Sequence, residues 1–376
     1  MRLSELPTPA AVLDLGKLKA NCARMLERTR ALGVKLRPHL KTLKSADAAR
    51  VAVDPSHGGI AASTLKEAEY FADHGFDDIQ CALCMPADKL GRIADLTRRA
   101  PRFSFFLDSV EMATATAAFA RARGVTLRAW IELDCGEHRT GVAPDDPALI
   151  EIARVLAGSA VVFEGLATHA GHSYVAAAPD AVRAIAEDER RALIDAAARL
   201  AEAGFAPPAL SAGSTPTAIH SACADGLSEL RAGVYMAGDL FQAAIGSLHR
   251  DDIALTVLAT VISHNRARNQ IVVDAGGLAL SKDRSTQRRP EADAGYGLVL
   301  DVAGRPAFGE LHVAGVHQEH GEIRSKRPLP FDALPIGARV RIAPNHVCMT
   351  AAAYDSYAVV DGGEAVIATW PRANGW

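Results

Sequence analysis

Between about Asp14 and Gly246 the sequence alternates short apolar runs with longer helical periods, and this alternation limits the chain to a few folds. Ala20–Ala31 reads as an amphipathic helix, and Val34–Arg37 as the first short strand. A helix over Ser45–Val53, a strand over Gly59–Ala62 and a helix over Leu65–His74 follow, with Ser63 as the expected cap and Glu67 in the first turn. Further strands are predicted at Ile79–Leu83, Arg102–Phe106, Leu127–Leu133, Val161–Thr168, Ala209–Ala212 and Glu229–Arg231. Helices are predicted between them, at Pro86–Arg99, Val110–Arg123, Pro147–Ala157 and Pro179–Gly204. Eight strands, most followed by a helix, in roughly 230 residues predict a (β/α)8 TIM-type barrel, an α/β fold.

The texture changes after Leu248. Short β-branched runs separated by turn residues occupy Ile253–Ser263, Gln270–Asp274, Leu298–Val302, Gly309–Val313, Ala338–Ile342, Tyr357–Val360 and Glu364–Trp370. The expected organisation is a barrel over residues 14–247 and a β-rich domain built from 248–376, with residues 1–13 added through a strand at Thr8–Leu15.

Composition narrows the function. The 376 residues carry a formal net charge of −3 and no basic run, which argues against nucleic acid or an anionic membrane as partner. No stretch approaches the roughly 20 apolar residues of a membrane span. Met1–Leu6 lacks the pattern of a signal peptide, and Cys22, Cys81, Cys84, Cys135, Cys223 and Cys348 are too scattered for a disulfide framework. A cytoplasmic location with reduced thiols is expected.

In such a barrel, chemistry sits where strands end and loops begin. After the first strand comes Arg37-Pro38-His39-Leu40-Lys41-Thr42-Leu43-Lys44. A lysine there, desolvated and near other cations, has a lowered pKa and suits Schiff-base chemistry; taken alone, the segment also reads as a solvated basic turn. After the sixth strand, His169, His172 and Tyr174 flank Gly171, an arrangement more typical of a site than of a core. After the seventh, Ser211-Ala212-Gly213-Ser214-Thr215-Pro216-Thr217 offers backbone N–H groups and hydroxyls to an anion, although such loops are often plain turns. After the eighth, Arg231-Ala232-Gly233-Val234-Tyr235 opens a second glycine-bearing backbone, and loops seven and eight are where barrels commonly hold a phosphate.

In the β-rich part, Pro344-Asn345-His346-Val347-Cys348 places an imidazole and a thiol two apart. On an extended segment the two point to one side and suit Zn²⁺, with open positions for water or substrate, although two ligands alone make a weak site and a buried cysteine is usually inert core. Gln318-Glu319-His320-Gly321 follows a predicted strand and is a candidate to reach a site. Asp134 and Arg139 read as an ion pair, and Cys81-Ala82-Leu83-Cys84, a lone CxxC, as core thiols.

Together these segments resemble the D-serine dehydratase and D-threonine aldolase family, within the alanine-racemase-like fold of pyridoxal phosphate enzymes. The resemblance runs from Thr8-Pro9-Ala10 to Gly375-Trp376, on RPHxKT at Arg37–Thr42, GSTPT at Gly213–Thr217, QEHG at Gln318–Gly321 and PNHxC ending at Cys348. It implies pyridoxal 5'-phosphate on Lys41, its phosphate at Gly213, Ser214 and Thr215 with Gly233 and Val234, and a divalent metal on His346 and Cys348. Zn²⁺ is the expected metal, with Mn²⁺, Co²⁺ or Mg²⁺ as alternatives. Similarity to the alanine racemases adds His169 stacked on the cofactor ring beside Tyr174, Arg139 toward the phenolic oxygen and Arg231 toward the pyridine nitrogen.

HAGxSY and the cysteine of PNHxC are similar to the dehydratase branch, and Ser63–Glu69, Val261–His264 and Arg231–Tyr235 to the D-threo-3-hydroxyaspartate dehydratases. Many members have KTHK, where this chain has Leu43 at the third position. The activity implied is loss of the β-hydroxyl from a D-3-hydroxy amino acid (D-serine, D-threonine or D-threo-3-hydroxyaspartate), giving a 2-oxo acid and ammonia. Lys41 would take the Cα proton, the metal would assist the leaving hydroxyl, and His172, Gln318 and His320 would contact substrate. The alternatives are aldolase cleavage to glycine and an aldehyde, and a non-catalytic carrier of the cofactor. The resemblance also implies a homodimer with the active site at the interface.

Overall fold

The computed structural model describes residues 1–176 and 178–376. In chain order, β1 (Ala10–Asp14) and α1 (Leu15–Ala31) lead into β2 (Lys35–Pro38), α2 (Ala46–Ala52), β3 (Ile60–Ala62), α3 (Leu65–Asp73), β4 (Ile79–Cys84), α4 (Leu90–Thr97), β5 (Ser104–Leu107) and α5 (Val110–Arg123). Next come β6 (Leu127–Leu133), α6 (Ala148–Ala157), β7 (Val161–Thr168), α7 (Pro179–Glu202), β8 (Leu210–Ala212), α8 (Thr215–His220), β9 (Glu229–Ala232) and α9 (Leu240–Ala244). The last third holds β10 (Leu255–Asn265), β11 (Gln270–Val273), α10 (Gly277–Leu280), β12 (Gly297–Leu300), β13 (Val313–Val316), β14 (Gly321–Arg324), β15 (Arg339–Pro344), α11 (Val347–Ala351), β16 (Ser356–Val360) and β17 (Ala368–Pro371).

The eight-stranded sheet runs β2-β9-β8-β7-β6-β5-β4-β3, with every neighbour parallel. Its two ends meet where His39 bridges Ala61 and the Leu40 N–H donates to the Ala61 carbonyl at 2.9 Å, which closes the barrel. β3 and β5 are buried at every residue, as strands covered on both faces must be. Helix ends follow local chemistry. Ser109 caps α5 by accepting from the Met112 N–H, and Gly124 ends it in the left-handed conformation at φ 62°. The cap of α3 is Thr64 rather than Ser63. Ser63 instead donates its N–H and hydroxyl to the Glu67 carboxylate, since two adjacent hydroxyls can share one helix start.

The second sheet has nine strands. Seven run β13-β14-β11-β10-β1-β16-β17, and β15 joins β10 to β12. β1 enters it antiparallel to β10 and parallel to β16. Val257, Val261, Ile271, Val313, Ile323 and Ile342 are among the residues of its buried core. β14 was not expected: four residues opening on Gly321 give too little alternation to be seen. The strand expected at Gly309–Val313 lies instead at Val313–Val316.

Two compact units result. One comprises Arg24–Lys41, Ala52–Gly233 and Ala373–Trp376 and contains the barrel sheet. The other comprises Met1–Ala23, Thr42–Val51 and Val234–Arg372 and contains the second sheet. Among the described residues, no helix is long and apolar enough to cross a membrane.

Candidate active site

In the barrel unit the strand ends gather the predicted residues. Lys41 lies three residues beyond β2, its N–H 3.4 Å from the His39 Nδ1. From sequence the amine is expected to be desolvated; in the structure Lys41 is exposed, because it lies in the loop past the strand and not within the packed interior. His169 follows β7 and sits 3.0 Å through Nδ1 from the Gly213 carbonyl. A carbonyl only accepts, so Nδ1 carries the proton and Nε2 is left as an acceptor. Burial, then the positive charge of Lys41, push the His169 pKa down to about 3. The ring is therefore neutral at physiological pH, and Tyr174 lies tilted beside it at 6.4 Å between centroids.

Gly213 has φ 119°, and a Cβ there would lie 2.6 Å from the Arg231 carbonyl oxygen. Only glycine fits both demands. Ser214 caps α8: its Oγ accepts from the Thr217 N–H at 3.2 Å, its own N–H donates to Thr217 Oγ1 at 2.9 Å, and Ser173 Oγ lies 2.9 Å away. Thr215 is fully buried, and its hydroxyl has no partner among the described residues. A buried hydroxyl without a partner on this loop fits the phosphate group of a cofactor. Gly233 is pressed against His39, whose carbonyl oxygen would stand 2.4 Å from an added Cβ.

Arg231 is buried, donating to Ser211 Oγ and to the Thr168 carbonyl, both at 2.5 Å, and it lies over the Phe106 ring at 5.5 Å. Ser211 in turn donates to Glu229 at 2.6 Å. Burial disfavours the Glu229 charge, but Arg37, whose Nε is 2.8 Å away, holds its carboxyl well below the usual range, aided by His57 at 3.0 Å. Arg37 also meets Asp78 at 2.6 Å. The barrel interior thus contains a charged network where apolar layers are usual.

The remaining barrel candidates lie on exposed loops or near them. Arg139 is exposed and 3.5 Å from Glu137, not paired with Asp134 as expected. Asp134 instead takes His138 at 2.8 Å, because His138 adopts a left-handed backbone at φ 59° that folds it back. His172 is partly buried, and its Nδ1 has no partner among the described residues. Cys81 is buried and Cys84 Sγ donates to Glu132 at 3.0 Å; both thiols are pushed up by burial, as expected of core thiols.

In the second unit, His346 and Cys348 do not lie on an extended segment. His346 is the extended N-cap of α11, and Cys348 is in the first turn of that helix. The turn is held by the buried Asn345, which donates to Thr286 Oγ1 and the Gly295 carbonyl, and by Asp239, which accepts the Val347 N–H at 2.9 Å. The His346 Nδ1–H donates to Asp283 Oδ2 at 2.6 Å, and Ser285 supports the same carboxylate at 2.8 Å. Burial pushes the imidazole down, but Cys348, Asp239 and Asp283 outweigh it and raise the pKa to about 10. Thr42, the residue after Lys41, has its hydroxyl 3.0 Å from Cys348 Sγ. An imidazole oriented by a carboxylate, with Nε2 left over and a thiol beside it, suits a divalent metal. Among the described residues, no group of three or more His, Cys, Asp or Glu side chains is arranged to hold a metal ion.

Gln318 and His320 are exposed in the turn between β13 and β14. That turn docks on Gly276–Leu278: the Gly277 and Leu278 N–H groups donate to the His317 and Gln318 carbonyls. Val234 is buried and opens a short 3-10 turn.

Residues 13–240 match the family described as "Alanine racemase, N-terminal domain", and residues 254–360 match "Putative serine dehydratase domain". The chain belongs to the alanine racemase N-terminal domain family. This family member is 43% identical to D-threo-3-hydroxyaspartate dehydratase of Delftia sp. strain HT23, over 100% of this chain and 99% of that one. It is 28% identical to D-serine dehydratase of Dictyostelium discoideum, over 100% and 98%. Among solved structures, the Delftia enzyme superposes with a TM-score of 0.94 over 100% of both chains at 43% identity. A cysteine-to-alanine mutant of D-threo-3-hydroxyaspartate dehydratase in its metal-free form superposes at 0.95 and 41% identity, over 100% of both chains. D-threonine aldolase from Filomicrobium marinum gives 0.84 at 25% identity, over 99% of this chain and 97% of that one.

Glu189 and Asp283 were not singled out from sequence. Glu189 had a signal: it interrupts the apolar stripe of α7 at Val182, Ala186, Leu193 and Ala196. Asp283 had none.

Proposed function

We propose that the chain is a pyridoxal 5'-phosphate- and metal-dependent lyase that removes the β-hydroxyl of a D-3-hydroxy amino acid, giving a 2-oxo acid and ammonia. D-threo-3-hydroxyaspartate and D-serine are the substrates to expect, from the names of the relatives. The observation that carries the reading is His346 beside Cys348, with the imidazole held by Asp283. Hydroxide leaves carbon poorly, a Lewis acid stabilises its departure, and this donor pair is suited to hold one.

Lys41, His169, Tyr174, Gly213, Ser214, Thr215, Arg231 and Gly233, with Val234 and Arg139, are the residues assigned to the cofactor. When bound, pyridoxal phosphate supplies an electron sink for the pair left at Cα, and a divalent metal, Zn²⁺ first, polarises the departing oxygen. The protein groups do the rest. The free Lys41 Nζ accepts the Cα proton. His169 presents a neutral ring, its orientation fixed by Gly213. The Gly213–Thr217 loop offers the buried Thr215 hydroxyl to the phosphate. His172, Gln318 and His320 are assigned to the substrate's side chain. A homodimer and a cytoplasmic location belong to the same reading, supported by the resemblance.

The test is a 2-oxo acid assay over a panel of D-3-hydroxy amino acids, with and without chelator. Oxaloacetate from D-threo-3-hydroxyaspartate, or pyruvate from D-serine, abolished by chelator and restored by Zn²⁺, is expected. Glycine with an aldehyde would replace this reading by the aldolase one. Full turnover without metal would remove the role of His346 and Cys348.

A further inference from the structure

α7 buries the stripe Val182, Ala186, Glu189, Leu193, Ala196 and Leu200. Five of these are apolar, and Glu189 stands among them at 2% exposure. A carboxylate on a core stripe costs several kcal/mol of desolvation unless its oxygens are filled. Glu189 Oε1 accepts the Ala170 N–H at 2.9 Å and the Gly213 N–H at 3.0 Å. Ala170 is the neighbour of His169, and Gly213 opens the loop assigned to the phosphate. The Gly213 carbonyl receives His169 Nδ1–H at 3.0 Å, so the carbonyl of that residue is tied to the β7 loop and its N–H to α7 through Glu189.

We infer that Glu189 is a positioning residue for cofactor binding: one carboxylate oxygen clamps the loop after β7 to the loop after β8, fixing His169 and the Gly213–Thr217 backbone in register. The inference rests on the assignment of Gly213–Thr217 to the phosphate. Gly213 sits at φ 119°, a conformation open to rotation of its peptide, and Glu189 restrains the N–H side while His169 restrains the C=O side. Without Glu189, two buried N–H groups lose their acceptor, and the loop must turn to find another. Burial raises the Glu189 pKa, and the Gly213 and Ala170 N–H groups and the charge of Arg231 oppose the rise.

The test compares full-length protein stripped of cofactor, titrated separately with pyridoxal 5'-phosphate and with pyridoxal, which lacks the phosphate. The ratio of the two dissociation constants measures what the loop contributes. In Glu189→Ala and Glu189→Asp, which cannot bridge both N–H groups, the ratio should fall about tenfold or more, while pyridoxal affinity stays within about threefold. Glu189→Gln keeps an accepting oxygen and should keep the ratio within about threefold. A wild-type protein that does not prefer the phosphorylated ligand would overturn the phosphate assignment, and this inference with it. A wild-type preference that survives unchanged in Glu189→Ala and Glu189→Asp would overturn the inference alone. Equal weakening of both ligands, or failure of both variants to fold, would make Glu189 a core residue and overturn it too.

Discussion

The His346 Nδ1–H donates to Asp283 Oδ2 at 2.6 Å across 63 residues of sequence. This bond orients the ring, raises its basicity and, in the neutral form that a metal needs, leaves Nε2 as the donor to it. Outer partners of this kind typically contribute a factor of 10–100 to metal affinity. Asp283→Ala should weaken zinc binding by about that factor, read by competition with a chromogenic chelator. Cofactor retention should not change. Zinc affinity equal to wild type would show that the carboxylate only neutralises local charge.

Lys41 is exposed beyond β2 and is the lysine assigned to the cofactor. Borohydride reduction of the cofactor-loaded protein, followed by peptide mass spectrometry, should place the pyridoxyl group on Lys41. Lys41→Ala should carry no label there and show no turnover, a loss of about a thousandfold or more. Label on Lys44 instead would move the assignment three residues along the chain.

The barrel was readable because its signals are repeated and local. Strands Leu127–Leu133 and Val161–Thr168 lie where short apolar runs put them. Site residues at strand ends were readable for the same reason, since strand order alone places Lys41, His169 and Gly213 on loops that follow strands. What could not be read depends on partners far along the chain. Asp283 is an ordinary surface-type acid until the fold brings it to His346, and Glu189 has meaning only through Ala170 and Gly213. The exposure of Lys41 was missed because burial depends on the depth of the strand end, which residue types do not record. The turn at His346 was read as strand because a five-residue helix leaves almost no period.

Gly213 carries two constraints at once, φ 119° and a Cβ position 2.6 Å from the Arg231 carbonyl. Gly213→Ala should lower stability by about 1–3 kcal/mol and displace the Ser214 cap. Urea denaturation gives the first quantity and pyridoxal phosphate affinity reports the second. An alanine variant with unchanged denaturation midpoint and affinity would mean that the loop has a second conformation of equal energy.

Glu229 faces Arg37 at 2.8 Å, His57 at 3.0 Å, Ser211 at 2.6 Å and Gln80 at 3.4 Å, and Asp78 shares Arg37 at 2.6 Å. Burial opposes its charge, yet Arg37 and then His57 hold its folded pKa well below the ordinary 4.5. A depressed carboxylate stabilises the fold fully above its unfolded value, and that contribution is lost as pH falls through the folded value. Wild-type stability should therefore decline progressively below about pH 4.5. Glu229→Gln leaves the buried Arg37 with Asp78 alone and should cost about 3 kcal/mol at pH 7. Because the variant has no carboxylate to protonate, its deficit should shrink as pH falls toward 3. Denaturation of both proteins at pH 7 and near pH 3 measures the gap. A gap of the same size at both pH values would show that the network is held by shape and hydrogen bonding, with the Glu229 charge contributing nothing.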